Sequence, residues 1–298
     1  MNLSAKDLEK KIDKAYKILE QCTLCPRKCN VNRTKGERGY CGVGQAIEVA
    51  SYGPHFGEEE VLVGRYGSGA IFLNSCNLSC VYCQNYDISQ LRSGMAVSVD
   101  EFVQIMLLLQ KKGCHNINFV TPTHFMPQIL EAVFMAKEKG LKIPLVYNCG
   151  GYESLESLKI LRGVIDIYMP DIKYADEDIA ARLSNVAEYP KIARQAIKEM
   201  HNQVGDLEID ANGIARKGLL LRHLVLPDDL SGTEQNMRFI ATEISPESYV
   251  NIMDQYRPCF KASDIPQLNR PLTQEEYIRA LNIAQSLGLH RGFWPPEN

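Results

Sequence analysis

The chain has 298 residues, 45% of them hydrophobic, enough to bury a large core. A formal net charge of -3 with 23% charged residues argues against wholesale disorder and against an extended nucleic-acid surface, which needs an excess of Lys and Arg. The N-terminal stretch is charged and helix-like, and no run reaches the roughly 18–20 apolar residues of a membrane span, so a cytoplasmic protein without a membrane partner is expected.

In chain order, a helix is expected over about Ala5–Glu20, where Leu8, Ile12, Tyr16 and Leu19 recur at helical spacing. From Cys22 to Gly44 the chain is loop-like and dense in Cys, Gly, Arg and Lys. It has too few large apolar residues to fold on packing alone, so a metal would supply what a core cannot. Short strands broken by a Gly53-Pro54 turn are predicted within Ile47–Val63. Gly64, Gly67 and Gly69 lack the lysine and following helix of a phosphate loop and read as a turn.

From Gly67 onward, short apolar runs alternate with amphipathic segments. The runs are Ala70–Leu73, Ile117–Val120, Ile143–Tyr147, Ile165–Met169, Leu219–Leu226 and Tyr249–Met253. The helical segments are Val99–Lys112, Pro127–Lys139, Leu155–Leu161, Pro190–Val204, Glu234–Ile244 and Gln274–Leu287. Ser98, with Glu101 three residues on, has the spacing of a capping box, and Ser154 and Thr273 stand in similar places. Gly113, Gly140 and Gly288 follow helices, where a left-handed residue ends them. Six strand–helix units in alternation predict an α/β fold with a parallel sheet, either open or an incomplete barrel. In both, ligands gather at the C-terminal strand ends. Two regions are expected: a helix and Cys-rich extension over 1–64, and the strand–helix core over 65–298.

Ten cysteines in a reducing compartment point to metal before disulfides, because seven of them fall in two tight groups. Cys22, Cys25, Cys29 and Cys41 make one group; Cys76, Cys80 and Cys83 make the other. The second has the spacing C-x3-C-x2-C directly after the first core strand. Three thiolates can bind three irons of a four-iron cluster and leave the fourth open to a substrate or cofactor. The plainer readings are a zinc site lacking a ligand, which more often shows paired C-x2-C knuckles, or unrelated buried thiols. For the first group, four thiolates suit a second iron–sulfur cluster, or a structural zinc or single iron, and the spacing does not separate them.

With the aromatic Tyr82 before its third Cys, the segment Asn74–Asn85 resembles the radical S-adenosylmethionine superfamily. Its continuation to Asp87 is similar to the pyruvate formate-lyase activating enzyme group. The resemblance extends to an uncharacterised branch labelled as pyruvate formate-lyase activating proteins. It is carried by C-P-R-x-C at Cys25–Cys29, H-F-G-E-E at His55–Glu59, N-I-N-x-V-T-P-T-H at Asn116–His124 and M-D-Q-Y at Met253–Tyr256. The resemblance implies a partial (β/α)6 barrel, a [4Fe–4S] cluster on Cys76, Cys80 and Cys83, and S-adenosylmethionine on the open iron. It implies that one electron, from a donor such as flavodoxin or ferredoxin, cleaves the cofactor to methionine and a 5'-deoxyadenosyl radical, which takes hydrogen from a substrate. A protein or peptide is the leading substrate, with a glycyl radical enzyme foremost. A small metabolite, an RNA base or a non-enzymatic iron–sulfur electron carrier are the alternatives.

The same resemblance suggests contacts strand by strand. Tyr82 would lie near the adenine. Many relatives carry Gly-Gly-Glu after the second strand to hold the methionyl amine; this chain has Thr121-Pro-Thr-His124, which offers the hydroxyls of Thr121 and Thr123 instead. The stretches Asn148–Tyr152 and Met169–Lys173 resemble two loops that form a monovalent-cation site and reach the cofactor carboxylate, although Asn148 replaces an Asp. Asp171 and Lys173, on alternate residues of a strand end, share one face and suit a zwitterion; the plainer reading is a solvated ion pair. Arg222 resembles an arginine near the cofactor, against the plainer reading of a buried structural ion pair. His124 and His223 read as structural.

Overall fold

The computed structural model describes residues 5–293, so 1–4 and 294–298, the outer ends of the two expected regions, lie outside the described residues. In chain order the elements are α1 (Ala5–Lys17), β1 (Ile47–His55), the single turn α2 (Glu60–Val63), β2 (Ser68–Leu73), the single turn α3 (Tyr86–Ser89), β3 (Met95–Val97) and α4 (Val99–Lys111). Then come β4 (Ile117–Val120), α5 (Met126–Glu138), β5 (Leu145–Cys149), α6 (Leu155–Leu161), β6 (Ile167–Pro170), α7 (Glu177–Ser184) and α8 (Tyr189–Val204). The last are β7 (Glu208–Ile209), β8 (Ala215–Leu224), α9 (Thr233–Phe239), β9 (Tyr249–Met253) and α10 (Gln274–Ser286).

The apolar runs of the core become β2, β4, β5, β6, β8 and β9, adjacent in that order and parallel throughout. Each is separated from the next by helix, as parallel pairing requires. The barrel is incomplete: among the described residues β9 pairs with β8 and not with β2. On the other side the sheet is extended by β1, antiparallel to β2, and by β3, antiparallel to β1.

Alternation along the strands separates two apolar layers. Leu145, Tyr147, Leu219 and Leu221 face the helices and join the main core, whereas Val146, Ile167, Met169 and Leu220 face inward and cluster with Leu62 of α2. Continuing the inward phase leads to Asn148 within β5, Arg222 within β8 and Asp171 just after β6. The capping boxes at Ser98–Glu101 and Thr273–Glu276 are both formed, while Ser154 occupies its cap position without a side-chain bond.

One local expectation needs correction. The stretch Ile47–Val63 holds one nine-residue strand that runs straight through Gly53-Pro54, followed by α2. β3 pairs only with Ile47–Val49, so the rest of β1 is an edge, where a residue without an N–H is tolerated. The helix α7 was not legible as a separate element, although Asp176 caps it by accepting from the Ile179 N–H at 2.8 Å. The regions 1–64 and 65–298 share one sheet through β1–β2, and Leu8, Ala15, Leu19 and Leu24 join the main core.

Candidate active site

Every parallel strand ends beside one cavity of about 330 Å³. Cys76, Cys80, Cys83 and Tyr82, from the loop after β2, all line it, as do Thr121, Asn148, Asp171, Lys173 and Arg222. Thr123 does not: it is buried and donates to Glu153 Oε1 at 2.6 Å. His124 and His223 are likewise buried and bonded to the carbonyls of Asn74 and Ile172 at 2.7 and 2.8 Å.

The cysteine loop is fixed by hydrogen bonds that also reach its sulfurs. Leu78 N–H donates to Cys76 Sγ at 3.4 Å, Ser184 Oγ to Cys80 Sγ at 2.9 Å, and Cys83 Sγ lies 3.1 Å from Ser89 Oγ. Ser184 is held in turn by Tyr174, 2.6 Å away, and the Tyr174 hydroxyl meets that of Tyr82 at 2.6 Å. Tyr256, from the M-D-Q-Y stretch, packs edge-on against Tyr82, while Met253 and Gln255 of the same stretch line the cavity. Burial, reinforced by Cys80, pushes the Cys76 and Cys83 thiols above their ordinary range, so a metal would have to displace their protons.

This donor set fits a cluster with three protein ligands. Three neighbouring thiols share a cavity, with O–H and N–H donors against their sulfurs. Cys149 also borders the cavity, but it belongs to the outer core and is engaged by Glu153, so it does not complete a quartet.

Across the cavity, Lys173 Nζ lies 2.6 Å from Asp171 Oδ2, with the side chains only 15% and 21% exposed. That is a desolvated pair, not a solvated one. Burial alone would lower the lysine, but Asp171 and the Cys80 sulfur outweigh it and hold Lys173 well above its usual range, as the ammonium. Its backbone is pinned by Tyr189, whose hydroxyl accepts the Lys173 N–H at 3.0 Å and lies 2.8 Å from the Gly150 carbonyl. Gly151 lets the two loops meet: its φ is +78°, and a Cβ there would stand 2.3 Å from the Asp171 carbonyl oxygen.

Arg222 is a largely buried, ion-paired residue that also reaches the cavity. Its partners are Glu58, Glu59 and Asp171 at 3.5, 3.6 and 3.6 Å. Glu58 and Glu59 come from the His55–Glu59 stretch, which borders the cavity and leads into α2. Burial raises the Glu58 carboxyl to about 7, against the opposing pull of Arg222. Sequence reasoning marked this stretch as a signature but assigned its acids no partner; two adjacent carboxylates entering an apolar segment were the available signal.

Cys22, Cys25, Cys29 and Cys41 surround a different, smaller pocket of about 20 Å³. Among the described residues no three His, Cys, Asp or Glu side chains are arranged to hold a single metal ion, and this applies equally to Cys76, Cys80 and Cys83. No described helix is long and apolar enough to cross a membrane.

The radical SAM superfamily profile matches residues 70–209. The uncharacterised protein MJ0674 of Methanocaldococcus jannaschii is 34% identical over 292 residues, covering 95% of this chain and 79% of that protein. Among solved structures, methylornithine synthase superposes with a TM-score of 0.50 at 14% identity, over 96% of this chain and 74% of that one. A radical SAM methyltransferase from Sphaerobacter thermophilus does so with a TM-score of 0.50 at 13% identity, over 74% of this chain and 64% of its own, slightly under two thirds of its length. These likenesses concern the fold. The superfamily profile, with the 34% identity to MJ0674 across most of both chains, shows that the chain belongs to the radical SAM superfamily, whose membership implies S-adenosylmethionine cleavage at an iron–sulfur cluster and a need for a reductant.

Proposed function

We propose that this chain takes hydrogen from a protein or peptide segment presented at the cavity, with a glycyl radical enzyme as the leading partner. Cys76, Cys80 and Cys83 would hold a [4Fe–4S] cluster. Lys173 would meet the carboxylate of S-adenosylmethionine and Asp171 its amine, with Thr121, Asn148 and Arg222 beside them and Tyr82 at the adenine. When bound, cluster and cofactor supply reductive cleavage of the sulfonium; the chain's own residues bind, orient and keep water out. A donor of the flavodoxin or ferredoxin kind would provide the electron.

The observation that carries the substrate class is the size of the cavity. About 330 Å³ is at the small end of the roughly 300–1,000 Å³ of ligand pockets, room for the cofactor and little else. A narrow segment can reach such a site through the open side of the incomplete barrel. The similarity of the Cys-Gln-Asn continuation to activating enzymes favours a glycine loop among such segments.

The test is electron paramagnetic resonance on anaerobic mixtures of the chain, S-adenosylmethionine, a reductant and glycyl radical enzymes of the same organism. A glycine-centred doublet that disappears in Cys80→Ala is expected. Silence from every such enzyme, with 5'-deoxyadenosine formed alongside a small metabolite or RNA, would replace the partner with that substrate. Undiminished 5'-deoxyadenosine formation by Cys80→Ala would remove the cluster assignment itself.

A further inference from the structure

Two arginines, the buried Arg33 and the half-buried Arg27, stand beside the N-terminal cysteines without an acid to balance them. Arg33 is 1% exposed, and its guanidinium donates only to carbonyls: to Gly44 at 3.0 and 2.6 Å and to His124 at 2.8 Å. Arg27 donates to the carbonyls of Asn77 and Asn185 at 3.1 and 2.9 Å, and its buried Nη2 has no hydrogen-bond partner. Its guanidinium carbon sits 3.6 Å from the centre of the Tyr40 ring. The arginine ion pairs among the described residues use Arg162, Arg216, Arg222, Arg238 and Arg270, and neither of these two. A guanidinium keeps its charge at any pH the fold survives, and a buried charge without a counter-charge is costly.

Both arginines line the small pocket, and so do Cys22, Cys25, Cys29 and Cys41. Neutral thiols cannot balance them. Four thiolates on a metal core can, because such a centre carries net negative charge. The sulfur of Cys29 already accepts the Tyr40 N–H at 3.3 Å, as a thiolate ligand would. Gly39 keeps that side open: a Cβ there would lie 2.9 Å from the Cys29 sulfur.

We propose that Cys22, Cys25, Cys29 and Cys41 hold an iron–sulfur cluster whose negative charge is matched by Arg27 and Arg33. The four side chains line one pocket. Iron–sulfur is chosen over a single zinc because the pocket abuts the loop of the first cluster, where a redox centre can pass an electron and a zinc cannot. The centre packs directly on the loop of the first cluster. Ser75 Oγ donates to the Cys41 carbonyl, Arg27 to that of Asn77, and Tyr40 to Ser79 Oγ at 2.6 Å. Ser75 and Asn77 flank Cys76, and Ser79 precedes Cys80.

The experiment uses the full chain with Cys76, Cys80 and Cys83 all replaced by Ala, purified anaerobically and assayed for iron, acid-labile sulfide and zinc. Iron and sulfide in equal amounts, about four of each per chain for a cubane, with a reducible paramagnetic signal, are expected. One zinc and no sulfide, or no metal in a chain still folded by circular dichroism, overturns the proposal. Should the triple variant not fold, Cys29→Ser/Cys41→Ser in the otherwise native chain gives the complementary count. Iron should then fall from about eight to about four per chain, and an unchanged count overturns the proposal. Arg33→Met supplies the electrostatic arm. With one positive charge gone, the potential of this cluster should become more negative, and an unmoved potential overturns the pairing with Arg33.

Discussion

The backbone N–H of Lys173 is held at 3.0 Å by the hydroxyl of Tyr189, the first residue of α8, sixteen positions further along the chain. The same hydroxyl lies 2.8 Å from the Gly150 carbonyl and 3.0 Å from that of Asp171, so one phenol ties the loops after β5 and β6 together. Tyr189→Phe leaves these buried backbone groups without their partner. A stability loss of about 1–3 kcal/mol is expected, the cost of an unsatisfied buried group, read from urea unfolding of the metal-free chain. Binding of S-adenosylmethionine should weaken while iron content holds. An unchanged midpoint and affinity would mean that the loops hold their places without the phenol.

How much of this was legible beforehand differs by level. Local patterns gave Ser98–Glu101 as a capping box and Ile117–Val120 and Tyr249–Met253 as strands, because those signals reside in a few consecutive residues. The convergence of Cys76, Asp171, Lys173 and Arg222 on one cavity was legible through their place at strand ends. Tyr189 was not, since nothing near it in sequence says that its hydroxyl reaches back to Gly150 and Lys173. Glu58 and Glu59 failed for the same reason: their partner Arg222 stands on β8, more than 160 residues away. The antiparallel β1 was obscured by Pro54, which sequence reasoning took as a break and the open edge tolerates.

Lys173→Ala tests the polar end of the cavity. The ammonium is desolvated and paired to Asp171 at 2.6 Å, so it is pre-positioned for a carboxylate. Losing a charge-assisted hydrogen bond costs about 1.5–3 kcal/mol, which corresponds to roughly ten- to over a hundredfold in affinity for S-adenosylmethionine. Calorimetry on cluster-loaded protein reads this directly, and equal affinities would reduce the pair to scaffolding.

Ser184→Ala tests the bond at Cys80. Its hydroxyl donates to the Cys80 sulfur at 2.9 Å, and hydrogen bonds to ligand sulfurs stabilise the reduced form of a cluster. Removing one worth about 1 kcal/mol should make the midpoint potential more negative, by up to about 40 mV for a one-electron couple. Redox titration followed by electron paramagnetic resonance would show the shift. A potential that stays put would mean that Ser184 serves only Tyr174.

Glu153 should make stability depend on pH. It is buried behind the cavity wall, accepting from Thr123 Oγ1 at 2.6 Å and from the Tyr147 hydroxyl at 3.1 Å, with the Cys149 thiol also against it. Burial outweighs these hydrogen bonds and raises its carboxyl to about 7. The sign follows from proton counting. Between about pH 4.5 and 7 the folded chain keeps a proton that the unfolded chain releases, so stability falls as pH rises through this window. The contribution is fully present below the unfolded value and lost above 7, on the order of 3 kcal/mol in all. Glu58, also raised to about 7, acts in the same direction, so the native profile alone does not isolate Glu153. Glu153→Gln keeps the shape, removes the titration and should flatten the profile, most visibly as a smaller stability loss between pH 5 and 8. Urea unfolding of the metal-free chain at several pH values reads the difference. Superimposable profiles would show that Glu153 is already ionised in the folded chain, with Thr123 and Tyr147 stabilising the charge.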